Sequence, residues 1–376
     1  MREHQIWFWQ LIISPHMAGL AKAMADRGHW VVYVAQHEMT PQRAAQGWQP
    51  PSLGAAQLRL VPDAASALAL AEQAPPQAVH ICQGIRGNGQ IGQVQRRLAQ
   101  LGRRQWVVME TVDDSGWRGI AKRLAYRLRF SRYRAHLEGV LATGLRTRQW
   151  VIDRGMSASK VYPFAYFLPE PELLQAHAPL ESTTGAPFKV LFVGQFIQLK
   201  RLDLLIDTVA SMHRRDVKLV AVGSGPLDAE LQQKARQRLG DRVQWIGRLP
   251  MADVHKLMAE VDCLVLPSRY DGWGAVVVEA LMAGTPAICS DRCGAAEAVL
   301  ASGVGGVFGS GDVASLTKTL SDVVEADGVS RLRRQNLASW SKCFSSDTGA
   351  QYLGQILHHV ERGEQRPAPP WSIGIR

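Results

Sequence analysis

Short apolar runs alternate with amphipathic stretches along most of the chain. In the first half the runs are IWFWQLII (6–13), WVVYVA (30–35), AVHICQ (78–83), RQWVVMET (104–111), GVLATG (139–144) and KVYPFAY (160–166). In the second half they are KVLFVG (189–194), VKLVAVGSG (217–225), VQWIG (243–247), CLVLPS (263–268) and PAICS (286–290). Most are continuous rather than alternating, which fits strands buried on both faces of a parallel sheet. The intervening stretches have helical spacing, among them PHMAGLAKAMADRG (15–28), LDLLIDTVASMHRR (202–215), LDAELQQKARQRLG (227–240), ADVHKLMAEV (252–261) and AAEAVLASG (295–303). Such alternation predicts an α/β protein of two tandem doubly wound Rossmann-like domains facing an interdomain cleft.

The segment at 169–187, with four prolines and a Ser-Thr-Thr-Gly stretch, is the expected linker. This divides the chain into a first domain at 1–168, a second at 188–345, a C-terminal helix at 346–363 that returns to the first domain, and a loose proline-rich tail at 364–376. A length of 376 residues, 46% hydrophobic and 20% charged, suits two ordinary cores. The opening apolar run is too short to cross a bilayer and lacks the charged start and cleavage site of a signal peptide. Cys82, Cys263, Cys289, Cys293 and Cys343 are scattered and odd in number, so they are read as reduced thiols of a cytoplasmic protein.

Charge divides the halves. Residues 1–180 hold 21 Lys/Arg against 12 Asp/Glu, and the rest hold 22 against 21. The first half therefore expects an acidic partner, the alternative being a solvated basic surface. Between Ser115 and Leu137 stand Arg118, Lys122, Arg123, Arg127, Arg129, Arg132 and Arg134, with no acid. Trp117, Ile120, Leu124, Tyr126, Leu128, Phe130 and Tyr133 are interleaved. A basic helix carrying aromatic residues suits an anionic membrane surface and a lipid-diphosphate acceptor. No nucleic-acid motif accompanies it, so a nucleic-acid partner is not expected.

The richest chemistry lies in SRYDGWGAVVVEALMAGTPAICSD (268–291). Asp271 follows a buried strand, and Gly272 and Gly274 keep it in a loop. A helix is expected from Gly274 or Ala275 to about Gly284, with free amides from Gly274 through Val277. Such a helix end favours an anion. Glu279 lies one turn further in, and carboxylates accept hydrogen bonds from pairs of sugar hydroxyls. Amides for a phosphate and one acid for each of two sugars match the layout of a sugar nucleotide. Taken singly, Asp271 is also a common turn residue, and Glu279 a common first-turn acid.

The stretch resembles the signature of retaining glycosyltransferases of family 4, with the GT-B fold: an acid, seven residues, an acid, then ALMAGTP. The first acid is more often glutamate in that family, so Asp271 is a shortened version. The resemblance gives Glu279 the ribose, Asp271 the transferred sugar, and the amides of Trp273, Gly274, Ala275 and Val276 the sugar and phosphate. It likewise places Gly194 at a strand end and Lys200 at the donor diphosphate, with Gln195 where an arginine is common. Gly223, Gly225 and Pro226 match a Gly-x-Gly-Pro turn, and Arg248 comes beside the base. No metal and no cofactor is expected. The resemblance covers essentially all of 188–345.

The first half departs from the family. Many members have a glycine pair where Ser14-Pro15-His16 stands, and a histidine where METVDDSGW (109–117) has Glu110, Asp113 and Asp114. His16 and Glu110 are the candidates to face the reacting sugar; otherwise they are a packing histidine and a strand-end acid. QGIRGNGQ (83–90), with Arg86 and Asn88, has the composition of a pocket loop. The expected function is transfer of a sugar from a nucleotide-sugar donor to a saccharide acceptor, lipid-linked, in polysaccharide or lipopolysaccharide biosynthesis. A sugar-nucleotide epimerase and a non-catalytic sugar-nucleotide binder stay open.

Overall fold

The structure, a computed structural model, describes residues 4–40, 50–85, 89–169, 186–212, 214, 216–326 and 331–372. Most of the expected linker, and Arg86 and Asn88 of the expected pocket loop, lie outside the described residues. The chain divides into two compact units, Met1–Pro169 with Phe344–Pro370, and Glu170–Cys343 with Trp371–Arg376.

The first unit opens with β1 (Gln5–Ile12), α1 (Pro15–Asp26), β2 (Trp30–His37), β3 (Gln57–Leu60), α2 (Ala64–Gln73) and β4 (Val79–Gln83). It continues with α3 (Ile91–Gln100), β5 (Arg104–Glu110), α4 (Gly116–Tyr133), β6 (Leu137–Thr143), α5 (Thr147–Ile152) and β7 (Val161–Phe164). The strands form one parallel sheet in the order β3-β2-β1-β4-β5-β6-β7. The order reverses at β1, where β4 pairs on the side opposite β2, and the carboxyl edge there is where ligands bind in such sheets.

The second unit runs β8 (Phe188–Val193), α6 (Leu202–Ser211), β9 (Val217–Val222), α7 (Asp228–Leu239), β10 (Val243–Gly247), α8 (Met251–Ala259) and β11 (Cys263–Leu266). Then come α9 (Ala275–Met282), β12 (Ala287–Ser290), α10 (Ala296–Ser302), β13 (Gly305–Phe308), α11 (Val313–Glu325) and α12 (Arg331–Ser341). Its parallel sheet has the order β10-β9-β8-β11-β12-β13, which reverses at β8. α13 (Ser346–Arg362) belongs to the first unit.

Burial explains the continuous apolar runs. Ile6 and Phe8 of β1, and Val190 and Phe192 of β8, are fully buried, and burial of each such side chain contributes about 1.5–3 kcal/mol. Helix ends follow local chemistry as well. Ser14 caps α1 by accepting the Met17 amide, with Pro15 at the first helical position. Asp63 caps α2 through the Ser66 amide, and Ser345 caps α13 through that of Thr348.

α13 is built into the first unit. The Leu168 amide donates to the Phe344 carbonyl at 2.9 Å, and the Ser346 amide to the Leu168 carbonyl at 2.8 Å. Along the helix, the Tyr352 hydroxyl donates to the Pro163 carbonyl at 3.0 Å. Residues 364–372, the described part of the tail, are held rather than loose. Arg366 donates to the carbonyls of Ser159 and Val161 in the first unit, and Trp371 is buried in the second.

Two strands escape the hydrophobic pattern. β3 (QLRL) is an edge strand with Arg59 and Leu60 exposed, and β13 (GGVF) begins with two glycines. Edge position removes the need for apolar residues on both faces. All five cysteines are free thiols. No helix among the described residues is long and apolar enough to cross a membrane.

Candidate functional site

In the second unit, the reversal of strand order brings the loop after β8 beside the loop after β11. The Arg269 amide donates to the Leu199 carbonyl at 2.8 Å and ties the two together. Lys200 and Asp271, 71 residues apart, meet there: Nζ lies 2.5 Å from Oδ2. Side-chain exposures of 24% and 14% leave the pair only partly open to water. The neighbouring Arg201 is committed elsewhere. It takes a left-handed conformation at φ 54° before α6, and its guanidinium holds Asp203. Lys200 is thus the cation this loop turns toward Asp271.

The loop from Asp271 to Gly274 is strapped to residues 292–295. The Asp271 amide donates to the Arg292 carbonyl, the Gly294 amide to that of Asp271, and the Ala295 amide to that of Trp273. The Cys293 thiol adds a bond to the Trp273 carbonyl at 3.1 Å. Gly274 has φ 83°, and a Cβ on it would lie 2.6 Å from Cys293 Sγ. Conformation and space together require glycine there.

α9 begins at Ala275, inside the expected span. The free amides stop one residue earlier than expected, because the Val277 amide already donates to the Gly274 carbonyl at 2.9 Å. Within α9 the amides of Ala275 and Val276 have no carbonyl four residues back to bond. The Trp273 side chain is 3% exposed, so its indole packs in the core and only its backbone can serve a ligand. Glu279 stands one turn along with its side chain 13% exposed, and loss of surrounding water pushes its carboxyl up to about 7. His255 of α8 stands 4.0 Å away, Nε2 to Oε2, and burial moves its imidazole down.

Gly194, Gly223 and Gly225 lie just past β8 and β9. A Cβ on Gly223 would sit 1.9 Å from the Gly194 carbonyl oxygen, so the two loops interlock only without side chains. Pro226 follows in the same turn, and Arg248 Nε donates to Ser224 Oγ at 2.5 Å beyond β10. Gly194, Gly223, Gly225, Pro226 and Arg248 thus form a second group of candidate residues along the carboxyl edges of β8, β9 and β10.

The first unit brings together two residues that the sequence singled out and one that it did not. Glu110 ends β5 and His16 opens α1. Tyr166, two residues past β7, joins them: its hydroxyl donates to Glu110 Oε1 at 2.6 Å, and its ring stacks on His16 at 5.1 Å and 10°. Asp113 and Asp114 serve the fold instead. Asp113 accepts the Ser115 amide at the start of α4, and Asp114 accepts from Trp150 and Arg154.

α4 separates its interleaved residues into two faces. Tyr126 and Phe130 are buried, while Trp117, Ile120, Leu124 and Leu128 are 76%, 55%, 60% and 73% exposed. Their spacing puts those four on one side of a helix. Arg118, Arg127, Arg132 and Arg134 are exposed around them. Arg129 lies over the Tyr126 ring, whereas Lys122 and Arg123 donate to the carbonyls of Asp113 and Asp114. No group of three or more His, Cys, Asp or Glu among the described residues could hold a metal ion.

Residues 181–339 match the family model described as glycosyl transferases group 1. A glycogen synthase of Mycobacterium tuberculosis is 30% identical over 230 residues, which cover 59% of this chain and 51% of that protein. The chain thus spans about half the length of the curated relatives it first matches. Among solved structures, HepE of Anabaena, crystallised with UDP, has a TM-score of 0.71 at 17% identity, covering 94% of this chain and 99% of that one. The lipopolysaccharide outer core galactosyltransferase WaaB has a TM-score of 0.70 at 15% identity, with the same coverage. The chain shares the GT-B fold of these proteins, and its residues 181–339 are similar to the glycosyl transferases group 1 domain.

Proposed function

We propose that this chain is a retaining glycosyltransferase of the family 4 kind, moving a sugar from a nucleotide-sugar donor to a lipid-linked saccharide acceptor in polysaccharide or lipopolysaccharide biosynthesis. One observation carries the reading: Lys200 and Asp271 meet at the strand-order reversal, beside the first amides of α9 and with Glu279 one turn along. Glycosyl transfer develops positive charge at the anomeric carbon and negative charge on the departing diphosphate. Amides and an ammonium fixed in place stabilise that leaving group without reorganising. Glu279 takes the ribose hydroxyls and Asp271 those of the transferred sugar. The UDP held by Anabaena HepE supports a nucleotide-sugar donor for this chain.

In this structure Lys200 is bound to Asp271. Donor binding replaces that partner with phosphate and releases the carboxylate to the sugar. Thermal-shift measurement against UDP, GDP, ADP and their sugar conjugates tests the donor site, since a ligand that binds only the folded form raises its apparent stability. One nucleotide raises Tm in the wild type and loses that effect in Glu279→Ala. No shift with any nucleotide overturns the reading.

The exposed row on α4 supports a cytoplasmic protein attached to the inner face of the membrane. Apolar side chains between arginines suit the boundary of an anionic bilayer. Flotation with anionic vesicles, but not with neutral ones, is the expected result, and equal recovery with both counts against it.

A further inference from the structure

We infer that Arg201 is a positioning residue for Lys200: its left-handed backbone, held by a guanidinium fork on Asp203, sets where the Lys200 ammonium ends. The inference rests on the reading of the second unit as the donor site and names the residue that places its cation. Arg201 has φ 54° and ψ 39°, and among the described residues it is the only one besides glycines with a positive φ. It stands at the cap of α6, where an extended backbone carrying Ser, Thr, Asp or Asn is the ordinary choice. Glycine takes the left-handed conformation freely, whereas a long side chain disfavours it, so the surroundings must hold it there. Residues held in such regions gather where a site needs a shape the chain would not otherwise take.

The hold comes from several directions. Arg201 Nε donates to the two Asp203 oxygens at 3.1 and 3.2 Å, and Nη2 to Oδ2 at 3.1 Å. Asp203 lies in the first turn of α6, where the helix dipole favours an acid. The Lys200 amide donates to the Ile197 carbonyl at 3.0 Å, and the Leu204 amide to that of Arg201 at 3.0 Å. Arg201 is thus the joint between a tight turn and a helix. The loop after β13 closes on the same place. The Ser310 hydroxyl donates to the Arg269 carbonyl at 2.9 Å, and a Cβ on Gly311 would lie 3.9 Å from Arg201 Nη1. Since the Arg269 amide also holds the Leu199 carbonyl, the residues on both sides of Lys200 are fixed. The Lys200 side chain then passes Gly194, its Cδ 4.0 Å from where a Cβ would stand, and reaches Asp271. An extended φ at Arg201 would turn the 197–200 segment against α6 and carry the ammonium away from Asp271.

Two readouts on the full chain test the inference. The first is the calorimetric Kd for UMP against UDP, GMP against GDP and AMP against ADP. The ratio within a pair reports the grip on the second phosphate, which a change in stability alone does not move. Lys200→Ala should cut that ratio about tenfold or more. Arg201→Val, whose branched side chain resists the left-handed region, should do the same. Arg201→Gly takes that region freely and lacks the guanidinium, and its ratio should stay within about threefold of the wild type. Asp203→Asn keeps Arg201 but loses the ionic fork; it should fall between the two, and it carries the test if Arg201→Val does not fold. The second readout needs no ligand. A double-mutant cycle of Lys200→Met and Asp271→Asn, read as Tm, measures the coupling of that pair. The coupling should survive in Arg201→Gly and vanish in Arg201→Val. Two results overturn the inference: wild-type coupling and ratio in Arg201→Val and Asp203→Asn, or a loss in Arg201→Gly as deep as in Arg201→Val. A wild type that binds no nucleotide, but whose coupling follows the expected pattern, supports the positioning and sinks the donor reading alone.

Discussion

The carboxyl edges of the two sheets are built differently. In the second unit the edge is mostly backbone: interlocked glycine loops, the first amides of α9, and a strap of main-chain bonds around residues 271–274, with one ion pair at its centre. In the first unit the edge is a knot of side chains, His16, Tyr166 and Glu110, from segments far apart in sequence. The difference suits two ligand chemistries. A diphosphate is the same anion whatever sugar it carries, and fixed amides and an ammonium meet it. Saccharides differ in hydroxyl pattern, and only side chains can be exchanged to match them.

The sharpest break of this comparison is Lys200→Ala. If the second edge works on a leaving diphosphate, loss of the ammonium lowers kcat on the order of 10²-fold or more. It also leaves the Asp271 carboxylate, 14% exposed, without its partner. Folding integrity is therefore checked alongside by circular dichroism. Turnover near that of the wild type in a folded Lys200→Ala protein would sink the assignment of the second edge to the donor.

The same contrast explains what the sequence revealed. Two parallel sheets follow from continuous apolar runs, and the loop at 271–274 from glycine spacing, because backbone needs leave local marks. Gly274, with φ 83° and no room for a Cβ, is such a mark. The pairing of Lys200 with Asp271 is not local. It depends on strand order, which brings β8 and β11 together across 71 residues. Tyr166 left no mark at all: it stands at the end of a strand-like run, and only the fold carries it to Glu110 and His16. Trp273 misleads in the other direction. Flanked by glycines it invites a role for its ring, yet the ring lies in the core. β3 and β13 are only four residues each: QLRL alternates over just two apolar positions, and GGVF opens on two glycines, so neither makes a run long enough to read.

A smaller effect sharpens the donor side. Burial raises the Glu279 carboxyl to about 7 in the folded protein. Ribose hydroxyls favour the ionised form, so nucleotide binding should weaken as pH falls below about 7, approaching tenfold per pH unit, and level off above it. His255 titrates nearby, and its imidazole is moved down by burial, so the comparison is made against Glu279→Gln. The wild-type carboxyl binds its proton more tightly folded than unfolded. Its contribution to stability is therefore present in full below the unfolded value and lost as pH rises to about 7. Glu279→Gln does not ionise, so its Tm should gain on that of the wild type through this window and keep the gain above it. Parallel Tm curves would show that the folded protein does not raise this carboxyl.

The smallest effect concerns the strap itself. The Trp273 carbonyl accepts two bonds, from the Ala295 amide at 2.7 Å and from the Cys293 thiol at 3.1 Å. A thiol is a weak donor, and the amide bond survives its removal. Cys293 is 2% exposed, so Cys293→Ala exchanges the thiol for a small void beside Gly274. The expected cost is about 1 kcal/mol, or ~2–4 °C in Tm for a unit of this size. Nucleotide affinity should change less than threefold, because the backbone bonds that shape the loop remain. A much larger loss of affinity at unchanged Tm would mean that the thiol, rather than the backbone, sets the position of the α9 amides. The second edge would then depend on a side chain as much as the first, and the contrast between the two sheets would fail.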